Sequence, residues 1–294
     1  MDAPSAAAQP AIFDLQAHRG GRGETTEESL RAFAKSLKIG VTTIELDVVL
    51  TGDSQPLVWH DPIINPAKCA DTGPVIAGDP QYPYVGKPVR DLALMQIRTL
   101  DCGLPQAAYP GAEVVRGNVI ATLPEVFALA DSYHADVRYN IEAKPDAESP
   151  TTAGDAQRLV EVILTAVRAA GKIDAVDIQS FDWRMLPMVR RAEPSIPVVA
   201  LWDRATAAVG DPVTAATAVG ADVLAPQYSM VDRDFVERAH ALGCKVIPWT
   251  VNDADAMRAQ ITLGVDGVIT DYPATLRTVM AELGMPLPPA YHVG

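Results

Sequence analysis

Positive charge is what this sequence is shortest of. Its 24 lysines and arginines face 37 aspartates and glutamates, for a net charge of -13 and a pI near 4.7. A chain of that sign has no basic stripe for nucleic acid and none for an anionic bilayer. Long apolar runs are missing too. No stretch approaches the ~18 residues that a membrane helix needs, so no stable membrane insertion is expected. The opening residues, "MDAPSAAAQPAIFDLQAHRG", hold neither a basic leader nor the apolar segment of a secretory signal. Their Ala- and Pro-rich character resembles a chain start left after signal removal, which favours a periplasmic or secreted location over a cytoplasmic one. Cysteine is scarce, with three in 294 residues. Cys244 opens an apolar run and reads as core. Cys69 and Cys102 lie in a turn-rich region. A disulfide between them would staple a long loop and imply an oxidising compartment, whereas two free thiols fit the cytoplasm. Both readings stay open.

What the chain does contain is enough for a full core, at 48% hydrophobic and 21% charged residues. Its length fits one α/β barrel as well as two average domains. Strand-like runs end at His18, near Val48, at His60, Lys144, Phe181, Trp202, Gln227, Val251 and Thr270. Amphipathic segments lie between most of them, among them "TEESLRAFAKSLKIG", "DAQRLVEVILTAVRAAG" and "DRDFVERAHALGC". Each closes on glycine-containing punctuation, as helix ends do. This alternation predicts parallel strands under helical cover, and the number of units predicts an α/β, TIM-like (β/α)8 barrel.

Nine candidate strands are one too many for such a barrel. Either "PLVWH" pairs as a hairpin with the strand before it, or "DGVIT" lies outside the closed ring. Residues 62–121 break the rhythm, with 8 of the 24 prolines and no long periodic segment. A loop that long is normally functional or disordered, and it reads as an insertion packed over the active-site end of the barrel. The expected organisation is a flexible arm over 1–11 and a single domain over 12–294 carrying that insertion.

Within "TIELDVVL", Glu45 and Asp47 sit two residues apart, so both side chains face one side of the strand. Two like charges there, with no countercharge, would cost several kcal/mol or force one to keep a proton. "YNIEAKP" repeats the pattern with Glu142 and Lys144. Three carboxylates from two strand ends make an oxygen-rich site for one hard divalent cation, Ca²⁺ or Mg²⁺. Salt bridges from Glu142 to Lys144 or Arg19 are the simpler explanation of each motif taken singly.

Of five histidines, His18 in "QAHRGG" and His60 in "VWHD" end strands, where barrels carry their chemistry. His134, His240 and His292 fall in helical or terminal contexts and read as uninvolved. Two histidines beside a cation and the Arg19 guanidinium are the parts needed for acid–base work on a phosphate ester. Arg19 can grip phosphate oxygens in a fork, and Lys144 can add a point charge.

"HRGGRGETTEESLRAF", "TTIELDVVLTGDSQPLVWHD", "NIEAKP", "IQSFDW", "IPWTVND" and "GVITDYP" follow one another in an order that resembles the glycerophosphodiester phosphodiesterases, in the form of exported bacterial members with an insertion after the His-Asp motif. The resemblance runs from about Leu15 to Thr275. It implies a metal-dependent hydrolase splitting a small-molecule glycerophosphodiester into sn-glycerol 3-phosphate and an alcohol. Glu45, Asp47 and Glu142 match the metal ligands, His18 and His60 the general acid and base, and Arg19 and Lys144 the phosphate contacts. Gln179, Phe181 and Trp249 match positions near the substrate, although Phe181 also fits as core filling. Asp271 reads as a cap or anchor of the last loop. The attacking group is left open between water and the adjacent glycerol hydroxyl.

One departure stands out. Relatives commonly carry Pro-Glu-Asn-Thr where this chain has Thr26, Glu27, Glu28 and Ser29. Thr25 and Glu28 have capping-box spacing, so a helix is expected to start there. Two alternative functions remain in view: phospholipase D-like cleavage of lysophospholipid or sphingomyelin, and a non-catalytic binding barrel. The first wants an apolar, membrane-facing loop, of which the insertion offers little. The second predicts loss of an acid–base or metal residue, and none is lost. Oligomeric state and head-group preference are not legible.

Overall fold

The computed structural model describes residues 12–145, 152–205 and 210–293. The arm expected over residues 1–11 lies outside them. The chain runs β1 (Asp14–Ala17), α1 (Leu30–Ile39), β2 (Thr43–Leu50), β3 (Pro56–Val58), α2 (Leu94–Ile97), α3 (Leu123–Ser132), β4 (Arg138–Ala143), α4 (Ala153–Ala169) and β5 (Val176–Ser180). It continues through α5 (Leu186–Ala192), β6 (Val198–Trp202), α6 (Pro212–Ala218), β7 (Val223–Pro226), α7 (Arg233–Ala241), β8 (Lys245–Val246), α8 (Ala254–Leu263), β9 (Gly267–Thr270) and α9 (Pro273–Glu282).

Eight of the strands are parallel, in the order β8-β7-β6-β5-β4-β2-β1-β9. Asp266 N donates to Val246 O at 2.9 Å and Ile269 N to Pro248 O at 3.0 Å, which brings the two ends of that order together. The result is the expected TIM-like (β/α)8 barrel. The surplus strand is β3. It turns back antiparallel on β2, pairing Val48 with Val58 and Leu50 with Pro56, while "DGVIT" supplies β9 inside the ring. The hairpin alternative is therefore the correct one.

Strand alternation decides what fills the ring. Ile44, Leu46 and Val48 of β2 and Tyr139, Ile141 and Ala143 of β4 face outward into the main core against the helices. The intervening residues face inward, and the inner wall has two halves. On β1 to β5 it is polar: Asn140 Nδ2 donates to Gln16 Oε1 at 2.8 Å and to Gln179 Oε1 at 3.1 Å, and Gln179 Nε2 donates to Glu45 Oε1 at 2.7 Å. On β6 to β9 it is apolar, with Val199, Leu201, Val223, Ala225, Ile247 and Ile269 packed together.

Helix starts are fixed by local caps. Ser29 accepts from Ala32 N at the start of α1, Asp232 from Phe235 N at α7, and Asp253 from Ala256 N at α8. The capping box expected at Thr25 and Glu28 is not formed. Residues 26–29 are not helical, α1 begins one residue after Ser29, and Glu28 stands at φ 55°. Its side chain is engaged elsewhere.

Segment 62–121 has only the short helix α2 and a 3-10 turn at Val89–Asp91 as helical structure. It nonetheless closes its own small core. Ile64, Tyr84, Leu92, Ile97 and Leu100 are buried against Leu57 and Trp59, with Cys69 and Cys102 among them. Those two cysteines are joined as a disulfide, and Cys244 is free and buried. Among the described residues no helix is long and apolar enough to cross a membrane.

Candidate active site

The site is built at the C-terminal ends of the barrel strands. Asp47 of β2 is in register with Glu142 of β4, and Glu142 with Gln179 of β5. Glu45 lies two residues before Asp47 on the same inward face. The three carboxylates Glu45, Asp47 and Glu142 are buried, and each offers an oxygen within 4.8 Å of the others.

The surrounding cations divide this charge unequally. Arg19 Nε lies 3.0 Å from Asp47 Oδ2, and Lys144 Nζ lies 3.6 Å from Asp47 Oδ1 and 3.0 Å from Glu142 Oε1. Burial works against the Asp47 charge, but Lys144 and Arg19 outweigh it and hold this carboxyl well below its usual range. Burial raises Glu45, and the Asp47 charge adds to it, against the hydrogen bond that Glu45 Oε2 accepts from Arg19 N at 2.8 Å. Glu142 is pushed up to about 8, by burial first and by Asp47, with Lys144 opposing. Like charges crowded into a dry pocket behave this way unless a cation joins them. Neither Asp47 oxygen accepts a well-aligned hydrogen bond. An all-carboxylate donor set with buried oxygens short of hydrogen bonds fits a hard divalent cation.

Each strand-end histidine is held by a carboxylate. His18 opens a 3-10 turn directly after β1, and its Nδ1 lies 2.5 Å from Asp271 Oδ1 just past β9. Asp271 Oδ2 accepts from Tyr109 Oη at 2.9 Å and from Asn252 Nδ2 at 2.7 Å. His60 follows β3, with Nδ1 2.7 Å from Asp61 Oδ1. Asp61 Oδ2 accepts from Lys68 Nζ and from Asn65 Nδ2, both at 2.8 Å. Burial lowers the pKa of both histidines, and the carboxylate partners work against it. Burial pushes Asp271 up, but the His18 hydrogen bond and charge, with Arg22 and Asn252, bring it down to about 2.

A cavity of about 330 Å³ opens among these groups. His18, Arg19, Glu45, His60, Glu142, Lys144, Gln179, Phe181 and Trp249 all line it, so nine of the ten expected site residues share one wall. Asp47 is the tenth. It is 1% exposed and sits behind Arg19 and Lys144. Gln179 does more than face the cavity, since its amide anchors Glu45. Phe181 and Trp249 meet edge to face at 5.4 Å, and Trp249 Nε1 is committed to Ala225 O at 2.8 Å. They end the apolar half of the inner wall.

Five participants carry no role in the sequence reading: Arg22, Asp61, Lys68, Tyr109 and Asp271 as a histidine partner. Arg22 lines the cavity, pairs with Glu27 Oε2 at 3.1 Å and stacks on the Tyr109 ring at 4.7 Å. Asp61 could have been found from its adjacency to His60. Asp271 could have been found from ring closure, which makes the last strand a neighbour of the first. Lys68 and Tyr109 lie in the segment without periodicity, where no sequence signal places them.

Glu28 explains the departure at 26–29. Asp47 N donates to Glu28 Oε1 at 3.0 Å, and Glu28 N donates to Arg19 O at 2.9 Å. A side-chain carbonyl of asparagine can accept the same bond, and asparagine tolerates a positive φ better. Burial, reinforced by the Asp47 charge, raises the Glu28 pKa, so its carboxyl tends towards the neutral form. Glu27 differs. Burial raises its pKa, but Arg19, Lys68 and Arg22 overcome that and hold it low.

Known proteins are similar to this chain over most of its length. The model of the glycerophosphoryl diester phosphodiesterase family matches residues 18–275. A glycerophosphodiester phosphodiesterase of Caldanaerobacter subterraneus subsp. tengcongensis is 29% identical over 268 residues, covering 91% of this chain and 98% of its own. One of Bacillus subtilis strain 168 is 28% identical over 267 residues, covering 87% of this chain and 83% of its own. Among solved structures, one from Silicibacter pomeroyi DSS-3, named provisionally as a glycerophosphoryl diester phosphodiesterase, superposes with a TM-score of 0.84 at 27% identity over 94% of this chain and 96% of that one. The fold is also that of an Oleispira antarctica phosphodiesterase in complex with the product sn-glycerol-3-phosphate, at TM-score 0.74 and 21% identity, covering 92% of this chain and 97% of that one. The chain belongs to the glycerophosphoryl diester phosphodiesterase family.

Proposed function

We propose that this phosphodiesterase hydrolyses water-soluble glycerophosphodiesters, such as glycerophosphocholine and glycerophosphoethanolamine, to sn-glycerol 3-phosphate and the free alcohol. The observation that carries the reading is one cavity holding two carboxylate-tied histidines, Arg19, Lys144 and a set of three buried carboxylates. His18 and His60 form the acid–base pair. With Nδ1 of each ring committed to an aspartate, Nε2 is the nitrogen left for proton transfer. One histidine takes a proton from the attacking oxygen, that of water or of the adjacent glycerol hydroxyl, as it bonds to phosphorus; in the second case a water then opens the cyclic phosphate to sn-glycerol 3-phosphate. The other delivers a proton to the alcohol oxygen as the phosphorus–oxygen bond breaks.

Arg19 and Lys144 contact the phosphate oxygens, and their pairing with Asp47 fixes both heads before substrate arrives. Glu45, Asp47 and Glu142 would hold one divalent cation, Ca²⁺ or Mg²⁺, which when bound supplies positive charge against the phosphate. Gln179 keeps Glu45 in place, and Phe181 and Trp249 pack against the glycerol backbone. Segment 62–121 covers this end of the barrel, in keeping with the contacts from Lys68 and Tyr109 to the histidine-holding aspartates. The Cys69–Cys102 disulfide favours an oxidising compartment and so the exported type of this family.

The test is release of glycerol 3-phosphate from glycerophosphocholine, read by a coupled dehydrogenase. Turnover that His18→Ala and His60→Ala each abolish supports the reading. Folded wild-type protein inactive on soluble diesters but active on lysophosphatidylcholine would replace it with the lipid-cleaving one.

A further inference from the structure

The two histidines are held in the same way, one by a residue 253 positions away and the other by its chain neighbour. His18 leans on Asp271 and His60 on Asp61, through Nδ1 and Oδ1 in both cases. In both, the second carboxylate oxygen accepts a hydrogen bond from segment 62–121: Tyr109 Oη to Asp271 Oδ2 at 2.9 Å, and Lys68 Nζ to Asp61 Oδ2 at 2.8 Å. We infer that Lys68 and Tyr109 are positioning residues for the hydrolysis, setting both histidines through their aspartates so that segment 62–121 tunes the acid–base pair as well as covering it. The inference rests on the reading of His18 and His60 as that pair.

Both residues are built into place. Lys68 is nearly buried, lies over the Trp59 ring at 5.1 Å, and spans Asp61 and Glu27, reaching Glu27 Oε1 at 2.5 Å. Its neighbour Cys69 is tied to Cys102, and Lys68 O accepts from Leu104 N at 3.2 Å, so its backbone is fixed on both sides. The Tyr109 ring is capped by Arg22, whose head is held by Glu27. Glu27 therefore joins the two arms through Lys68 and Arg22. Burial, with the Asp271 charge, pushes Tyr109 up to about 12, which keeps its hydroxyl a donor at working pH.

The chemistry fixes the sign of the effect. A hydrogen bond to an aspartate oxygen draws charge away from the histidine that shares it. Removing the Tyr109 hydroxyl leaves Asp271 a stronger acceptor, which raises the His18 pKa. Removing Lys68 does the same for His60 and deletes a nearby positive charge. Facing His18 are Asp271, Arg19 and Asp47. Facing His60 are Asp61, Asp47, Arg19 and Lys144, with Lys68 behind Asp61.

The experiment measures kcat and KM of the full-length protein on glycerophosphocholine from pH 5 to 9.5, with the supporting divalent cation saturating. Tyr109→Phe, which loses a single hydroxyl, and Lys68→Met are each expected to lower kcat about five- to tenfold with KM within about twofold of wild type. The pH limb set by the affected histidine should move up by about half a unit. Lys68→Arg should restore the wild-type profile. Superimposable wild-type and Tyr109→Phe profiles, beside inactive His18→Ala, would overturn the inference and leave the acid–base reading standing. A Tyr109→Phe effect confined to KM would also overturn it, making Tyr109 a substrate contact. Turnover retained by His18→Ala or His60→Ala would instead sink the acid–base reading itself, and this inference with it.

Discussion

His18 Nδ1 and Asp271 Oδ1 lie 2.5 Å apart although 253 residues separate them in the chain. The contact follows from ring closure. β1 pairs with β9, and Ala17 and Thr270, the residues just before the two, are register partners. Each side chain therefore leaves its strand at the same height. The role proposed for His18 depends on the barrel being a closed ring.

Asp271→Asn keeps the shape and removes the charge that His18 leans on. Loss of about a hundredfold in kcat is expected, with little change in KM. Circular dichroism and Tm would show the fold retained. A variant with wild-type kcat would mean that Asp271 only anchors the loop.

Metal affinity should depend on pH because Glu142 titrates near 8. A protonated carboxyl is not a ligand, so below that value each bound cation must displace a proton. Apparent Kd should fall as pH rises from 6 to 8 and then level off. Calorimetry in two buffers of different ionisation enthalpy reads the released protons directly, and Glu142→Gln should reduce the release to the share that Glu45, raised in the same way, supplies. EDTA should remove activity, and Ca²⁺ or Mg²⁺ should restore it.

Glu28 is destabilising when charged. Its folded pKa is raised above the unfolded 4.5, so folding favours the protonated form. Stability contributed by that proton is full below pH 4.5 and is lost as pH climbs through the folded value. Glu28→Gln keeps the acceptor for Asp47 N and has no charge to bury. In EDTA its Tm should exceed wild type by about 3 °C at pH 8, with the gap closing at pH 4.5. Differential scanning calorimetry at the two pH values decides it.

Reduction of Cys69–Cys102 frees a loop with a sequence separation of 33 residues. Loop-closure entropy puts the loss at about 3–4 kcal/mol, confined at first to segment 62–121 and its small core. Hydrogen exchange should rise there on treatment with a phosphine reductant while β4 to β7 stay protected. Uniform exchange across the whole chain would contradict a separate small core.

The alternation of strand and helix was legible because buried parallel strands must carry apolar outward faces, as Ile44, Leu46 and Ile141 do. Glu45 and Asp47 were legible for the complementary reason: charge on the inward face needs an explanation that core packing does not supply. The capping box was misread. Thr25 and Glu28 have the spacing, yet Glu28 is claimed by the Asp47 amide across the barrel end, and Ser29 takes over the cap. Local pattern lost to a tertiary hydrogen bond. Lys68 and Tyr109 were not legible because irregular backbone sets no period from which a neighbour can be counted.

The two-material lining of the ring has a consequence for how such an enzyme changes. Among the described residues, every charged group in the cavity wall comes from the part of the chain before residue 145, whereas Leu201 of β6, Trp249 beyond β8 and Ile269 of β9 come later. A substitution at Leu201 or Trp249 reshapes the hollow without replacing a carboxylate or a histidine, whereas Ile269 lies two residues before Asp271, which holds His18. On the proposed function, choice of alcohol can thus change at such positions while the residues proposed to react stay as they are.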